Sequence, residues 1–454
     1  MPRIVSKERT YVPLKEVEME TQYVKENPIL APDNDFLELV HVGETKTGIG
    51  SNKFYRMRNN HNGTFTATYG RVGATKGQWA PRSYDWPINM WQSKFYEKAQ
   101  LHGYLLIKSG IQKKSSLIKP ESAQADSKYA RIRNKSVREI VDRLLCFANK
   151  TIAENYEVKA EAVSQRQIDL AEESIKKLKY FAENGLCDAF NIELMNLYSA
   201  IPRKMDMVSR HKATGQDSMY SILAKEMNLL DVMKGQVKAS SLTEEQGKLG
   251  EAKTKRKRSI VTASGLEWRD CTDEEIQNIK KHLGSDASRF KKAWRVVNKK
   301  QEAAFRQFVN KNGIREGGIK FLYHGSRNEN FWSIITNGLK LRPQGVHITG
   351  KMFGFGLYFA PSANKSLGYT STQGSRWANG NSESGFLAVY KVATGKPYDV
   401  HAYSAHGSMD YDELQRRCPG SHCLWAHAGS MLRADEVIIY KEDQCTLRYL
   451  VELS

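Results

Sequence analysis

The sequence predicts a multidomain protein: a small α+β domain, an all-α domain and a larger α+β domain, joined by two polar linkers. Three observations carry this prediction. Short runs rich in β-branched and aromatic residues, separated by Gly/Asn turns, fill residues 36–73. Apolar residues recur at helical spacing from Ser136 to about Val237. Beyond about residue 259, strand-like and helical runs alternate. With 454 residues, 40% hydrophobic and 26% charged, the chain suits two to four domains with apolar cores.

Residues 1–34 are polar and read as an extension. The first domain spans 35–112. FLELV, KFYRMRN and TFTATYGRVG read as strands, with turns at TKTGIGSN and NNHNG. A helix from about Pro87 to Gly103 places Met90, Trp91, Phe95 and Ala99 on one face. Residues 113–129 read as a linker. The helical domain spans 130–240. In SVREIVDRLLCFANKTIAENY the apolar stripe is Val137, Ile140, Val141, Leu144 and Leu145. Further helices are expected at 164–184, 188–200 and 217–235, the second of these ending at Ile201-Pro202. Residues 241–258 form a second linker, ending in the basic run Lys253 to Arg258. The last domain, 259–454, has strands at FLYHGS, GLYFA, GFLAVYKVA, DEVIIY and CTLRYLVEL.

The net charge is +19, which suits a polyanionic partner. From Thr45 to Lys114 twelve lysines and arginines face only Asp85 and Glu97, so about half of the excess sits in that one short stretch. Six scattered cysteines argue for reduced thiols and a cytosolic or nuclear compartment. No stretch approaches the ~20 apolar residues of a membrane span, and the first twenty residues are too polar for a secretory signal. No membrane partner is expected. Neither GxGxxG nor a Walker-type loop is present.

The informative stretches are Tyr323-His324-Gly325-Ser326-Arg327, Met352-Phe353-Gly354-Phe355-Gly356-Leu357-Tyr358-Phe359-Ala360, Asn364-Lys365-Ser366-Leu367-Gly368-Tyr369 and Asp435-Glu436-Val437-Ile438-Ile439-Tyr440. Each sets polar groups into an otherwise apolar run, and glycines beside them allow a flat ligand close to the backbone. Together they resemble the poly(ADP-ribose) polymerase family, in the diphtheria-toxin-like branch of the ADP-ribosyltransferases. Its His-Tyr-Glu signature matches His324, Tyr358 and Glu436.

The resemblance implies that NAD+ is the substrate. Gly325 would bond the nicotinamide amide through its backbone and Ser366 through its hydroxyl. Tyr358 and Tyr369 would stack on the nicotinamide ring. His324 would hold the adenosine ribose, with Ser326 nearby, and Lys365 would line the pocket. Glu436 would bond the nicotinamide ribose. Breaking the nicotinamide–ribose bond passes through an oxocarbenium-like state, which a carboxylate stabilises. In the family an acidic third residue goes with chain elongation. The sequence departs at Lys351, where the family has a Tyr, and between Tyr398 and Leu432, on the acceptor side. Cys418, His422, Cys423 and His427 lie in that segment, but their spacing is no standard metal pattern, and no metal is expected.

The first domain resembles the WGR domain of DNA-activated members. Tyr69-Gly70-Arg71-Val72-Gly73 lies where the family has Trp-Gly-Arg-Val-Gly. This implies a DNA-end contact through Arg71, with Tyr69 and Lys53 beside it. The helical domain resembles the family's regulatory domain at VSQRQIDLAEESI, FNIELMNLYSAIP and ILAKEMNLLDVM. These resemblances imply an enzyme stimulated by DNA strand breaks that modifies acceptor proteins, itself included, in DNA repair. Lys253 to Arg258 suggests nuclear import if the source is eukaryotic. The rival readings are a mono-ADP-ribosyltransferase, a DNA-end-binding scaffold with an inactive transferase, and an NAD+ glycohydrolase.

Overall fold

The structure is a computed structural model. It describes residues 30–31, 35–44, 50–72, 74, 80–109, 130–205, 208–251, 258–341, 352–372, 374–375, 378–379, 383–401, 409–429 and 432–454. Lys351, most of the basic run 253–258 and part of the acceptor-side segment lie outside them. The chain divides into two compact units, Met1–Lys119 and Pro120–Ser454.

In the first unit β1 (Phe36–Glu44), β2 (Gly50–Asn59), β3 (Thr64–Arg71), β4 (Arg82–Pro87) and β5 (Leu105–Ser109) form an antiparallel sheet. Its order is β4-β3-β2-β1-β5. Alternation along the strands turns Leu37, Leu39, Tyr55, Met57, Phe65 and Ala67 to one face. There they pack on Trp91 and Phe95 of α1 (Trp91–Tyr96), with Phe65 edge-on to Trp91 at 5.1 Å. The helical run continues to Leu101 through π-type turns. RSYDWP and LLIKS, which the sequence reading left unassigned, are the edge strands. RSYDWP is solvent-facing along nearly its whole length, so no alternation marks it.

The second unit opens with four helices: α2 (Lys135–Asn155), α3 (Gln165–Glu183), α4 (Cys187–Ala200) and α5 (Gln216–Glu251). Asn134 caps α2 by accepting from Val137 N–H, and Ser164 with Gln167 forms a capping box on α3. Helix α5 runs well past the expected end at 235. Residues 236–251 contain no proline and are rich in Lys, Glu, Gln and Leu, which propagate a helix.

Two sheets follow. Strands β6 (Leu266–Asp270), β7 (Phe290–Asn298), β8 (Ile319–Gly325), β10 (Gly385–Ala393) and β14 (Cys445–Leu453) form one, in the order β6-β7-β14-β10-β8. Strands β9 (Leu357–Phe359), β11 (Pro397–Val400), β12 (Cys423–Ala426) and β13 (Glu436–Ile439) form the other, in the order β11-β12-β13-β9. Helices α6 (Asp273–Leu283), α7 (Lys299–Lys311), α8 (Phe331–Asn337), α9 (Ala363–Leu367) and α10 (Tyr411–Arg417) surround them. A single bridge, Tyr323 to Ala360, ties β8 to the end of β9 with bonds of 2.8 and 2.9 Å.

The helices and the sheets share one core. Val137, Ile140, Val141 and Leu144 of α2 pack with Trp294, Phe331, Trp332, Phe386 and Leu450. The seam also carries polar bonds: Trp294 Nε1 donates to Ser136 Oγ at 2.8 Å, and Arg143 forks onto both carboxylate oxygens of Glu452. Helix α5 docks on α8 through Gly235. A Cβ there would lie 3.1 Å from Ser333 Cβ, and Trp332 Nε1 donates to the Gly235 carbonyl at 3.2 Å.

Candidate active site

The end of β8 and the middle of β9 line one cavity. His324, one residue from the end of β8, is held through Nδ1 against the Tyr358 carbonyl at 3.0 Å. Its ring packs on Phe359 and Tyr390, with centroids at 5.9 and 6.4 Å. Gly325 ends the strand. A Cβ there would sit 1.9 Å from the Ser366 carbonyl oxygen, so only glycine lets α9 pack this closely. Ser366 is buried and its hydroxyl donates to the Tyr323 carbonyl at 3.1 Å. Ser326 accepts a bond from Asn330 Nδ2 at 3.1 Å.

The Tyr358 hydroxyl is fixed at both ends. It donates to the Gly354 carbonyl at 2.9 Å and accepts from Phe353 N–H at 3.1 Å. Burial pushes its phenol far above the ordinary tyrosine value, so the hydroxyl stays protonated and the ring keeps one orientation. Tyr369 is 48% exposed, and burial of the rest raises its phenol too, with Glu436 adding to the effect.

Glu436 opens β13 and is 5% exposed. Lys365 Nζ lies 2.8 Å from its Oε1. Its Oε2 is buried and has no hydrogen-bond partner. A buried carboxylate oxygen without a donor is costly, which makes it a ready acceptor for a ligand hydroxyl.

His324, Gly325, Ser326, Tyr358, Lys365, Ser366, Tyr369 and Glu436 all line one cavity of about 1070 Å³. That is the upper end of the range for small-molecule sites, about 300–1,000 Å³. Its opposite wall is α5, through Asp217, Ser221, Asn228, Asp231 and Lys234. Sequence reasoning did not name these wall residues. With Lys225, which lines the same wall, they recur every three or four residues along the helix.

Tyr69, Arg71 and Lys53 belong to the first unit. Lys53 stands directly across from Arg71 in the β2–β3 ladder, and Tyr55 across from Tyr69. Tyr69 stacks between Tyr55 and Tyr84, with centroids at 6.5 and 5.9 Å. The structure gathers these three at one end of the sheet.

Cys418, His422, Cys423 and His427 are engaged elsewhere or apart. His422 Nδ1 accepts from Lys396 N–H, the buried Cys423 thiol faces the Thr394 carbonyl, and His427 pairs with Asp399 at 2.7 Å. Among the described residues no group of three or more His, Cys, Asp or Glu is placed to hold a metal ion, and no helix is long and apolar enough to cross a membrane.

The model of the poly(ADP-ribose) polymerase catalytic domain matches residues 273–454. A poly(ADP-ribose) polymerase-like protein, 100L, of Invertebrate iridescent virus 6 is 30% identical over 167 residues, 36% of this chain and 85% of that protein. Protein mono-ADP-ribosyltransferase PARP3 of Mus musculus is 22% identical over 478 aligned residues, 91% of this chain and 87% of that protein. Poly [ADP-ribose] polymerase 1 of Xenopus laevis is 29% identical over 154 residues, 30% of this chain and 15% of that protein. The chain is an NAD+ ADP-ribosyltransferase. The chain belongs to the poly(ADP-ribose) polymerase family.

Proposed function

We propose that this chain is a DNA-end-stimulated poly(ADP-ribose) polymerase that attaches ADP-ribose to proteins, itself included, and elongates it. The observation that carries this reading is the buried Glu436 carboxylate, with Oε2 unpartnered in the same cavity as His324 and Tyr358.

In the proposed cycle, NAD+ enters between α5 and the strand ends. The Gly325 backbone and the Ser366 hydroxyl hold the nicotinamide amide, and Ser366 must turn from the Tyr323 carbonyl to do so. Tyr358, locked by its two hydrogen bonds, supplies one flat face, and the half-exposed Tyr369 closes on the other. His324 anchors the adenosine ribose. Glu436 accepts the 2′-hydroxyl of the nicotinamide ribose. As the glycosidic bond lengthens, positive charge grows on that ribose and the carboxylate stabilises it. Nicotinamide leaves, and an acceptor hydroxyl or carboxylate attacks from the open side. When the acceptor is a ribose hydroxyl, Glu436 polarises it and the chain grows.

The first unit is the proposed DNA reader, a WGR-like domain. Its charge excess, and the placement of Lys53 across from Arg71, favour phosphate contacts. The helices 130–240 are the proposed regulatory domain, supported by the α5 wall of the cavity. DNA repair in a nucleus follows from the same reading.

A mono-ADP-ribosyltransferase is the second reading, favoured by the near full-length match to a mouse protein of that activity. Labelled NAD+ incorporation with and without nicked or blunt DNA tests the proposal. Ladders on a gel that appear only with DNA support it. A single modified band excludes elongation, and equal activity without DNA excludes stimulation.

A further inference from the structure

A second cavity, of about 540 Å³, lies between α7 and the five-stranded sheet. It shares no residue with the catalytic cleft. Phe321 lines it from β8, and side chains three apart on a strand point to opposite faces, so it opens on the face away from His324. Its volume falls within the range of small-molecule sites, about 300–1,000 Å³.

The lining is cationic beyond what its carboxylates neutralise. Glu302 alone serves two guanidiniums: Arg306 at 3.0 Å and the buried Arg448 at 3.2 Å. Arg295 pairs with Glu275 at 2.9 Å, but that carboxylate also holds Arg269 at 2.7 Å. Lys391 has no carboxylate within ion-pair distance among the described residues, and its ammonium lies over the Phe321 ring at 5.7 Å. Burial first, and then Arg448, lower its pKa, as expected for a cation facing more cations. The buried Nε–H of Arg448 has no acceptor. Beside these charges Phe321 is 45% exposed and stacks on Tyr449 at 6.4 Å.

Excess positive charge, an unused buried donor and an exposed aromatic face within one cavity call for an anion that carries a ring. We propose that this cavity is a second ligand site, for a phosphate ester of a nucleoside, the class of the nucleoside diphosphates. Lys391 and Arg306 take the phosphates, and Phe321 takes the base. That chemistry is shared by a free nucleotide and by ADP-ribose already attached to protein.

The test is calorimetric titration of the full chain with ADP, pyrophosphate and a mono-ADP-ribosylated peptide. ADP also suits the catalytic cleft, so the parent should show two sites. Lys391→Gln combined with Arg306→Gln should weaken one of them at least tenfold and leave NAD+ turnover unchanged. His324→Ala should weaken only the other. Thermal melts confirm that each variant is folded, and Lys391→Arg should restore binding. At the second site ADP should bind at least tenfold tighter than pyrophosphate. Peptide bound as tightly as ADP identifies attached ADP-ribose as the ligand; peptide excluded identifies free nucleotide. A single ADP site, lost in His324→Ala and intact in the double variant, overturns the proposal. So does ADP binding no tighter than pyrophosphate.

Discussion

Lys365 Nζ lies 2.8 Å from Oε1 of Glu436, and the other oxygen of that carboxylate is buried without a partner. The lysine therefore pairs with the carboxylate without consuming the acceptor that a substrate would need. Glu436→Gln keeps the shape and removes the charge. NAD+ consumption should fall at least ~100-fold, the order seen when one transition-state electrostatic contact is lost. Turnover within threefold of the parent would remove Glu436 from the mechanism.

The same pair predicts a stability coupling. Lys365→Met leaves a buried carboxylate without its cation and should lower the melting temperature, by a loss of about 1–3 kcal/mol. Adding Glu436→Gln to Lys365→Met should restore part of that loss, because the uncompensated charge is gone. Strictly additive melting shifts in the four-member cycle would show that the two side chains do not interact.

Gly325→Ala places a methyl group on the Ser366 carbonyl, at 1.9 Å before relaxation. Strand β8 or α9 must move, and His324 and Ser366 move with them. Activity should become undetectable while the first unit still melts as in the parent. Differential scanning calorimetry together with NAD+ consumption measures both.

Gly235→Val wedges α5 away from Ser333 and Trp332. If α5 restricts entry to the cleft, activity without DNA should rise severalfold and the DNA stimulation ratio should shrink. Unchanged basal activity in a folded variant counts against regulation by this helix.

Glu275 supplies a pH signature. Its hydrogen bond to Arg269 is the largest cause, with the Thr272 backbone and Arg295 adding, and together they hold its carboxyl at about 2 instead of the ordinary 4.5. The stability it contributes is full above about 4.5 and is lost as pH falls toward about 2. Allowing for solvent screening, the contribution is about 1–2 kcal/mol. Glu275→Gln should melt below the parent at neutral pH. The gap should narrow as pH is lowered from about 5 to about 3; a constant gap would mean the carboxylate's charge is irrelevant.

The long, patterned elements were legible in the sequence. Strands 385–393 and 445–453 begin and end where their residue types predict, because both are rich in β-branched, aromatic and aliphatic residues and are bounded by polar turns. All eight residues expected to meet NAD+ line one cavity, since each sits in a run whose neighbours fix its direction. Three things were hidden. RSYDWP has no buried face to impose a period on it. Helix α5 runs through Gly235, where the sequence reading ended it, to Glu251. The cationic cavity under α7 gathers Arg295, Arg306, Lys391 and Arg448 from three strands and one helix, a convergence that only tertiary packing creates.

Because α2 contributes four buried side chains to the core beneath the catalytic sheet, the helical segment cannot be discarded like a cap from a bottle. Removing residues 130–240 would strip that core and expose Trp294, Phe331 and Trp332, leaving an aggregation-prone remnant in place of an unleashed enzyme. If the helical layer restricts the cleft, access should come from local opening, in which part of that layer exchanges its amide protons fast while α2 stays as protected as the strands beneath it. On that reading the outer helices should loosen first while α2 holds, and the two halves of the second unit should melt in one transition.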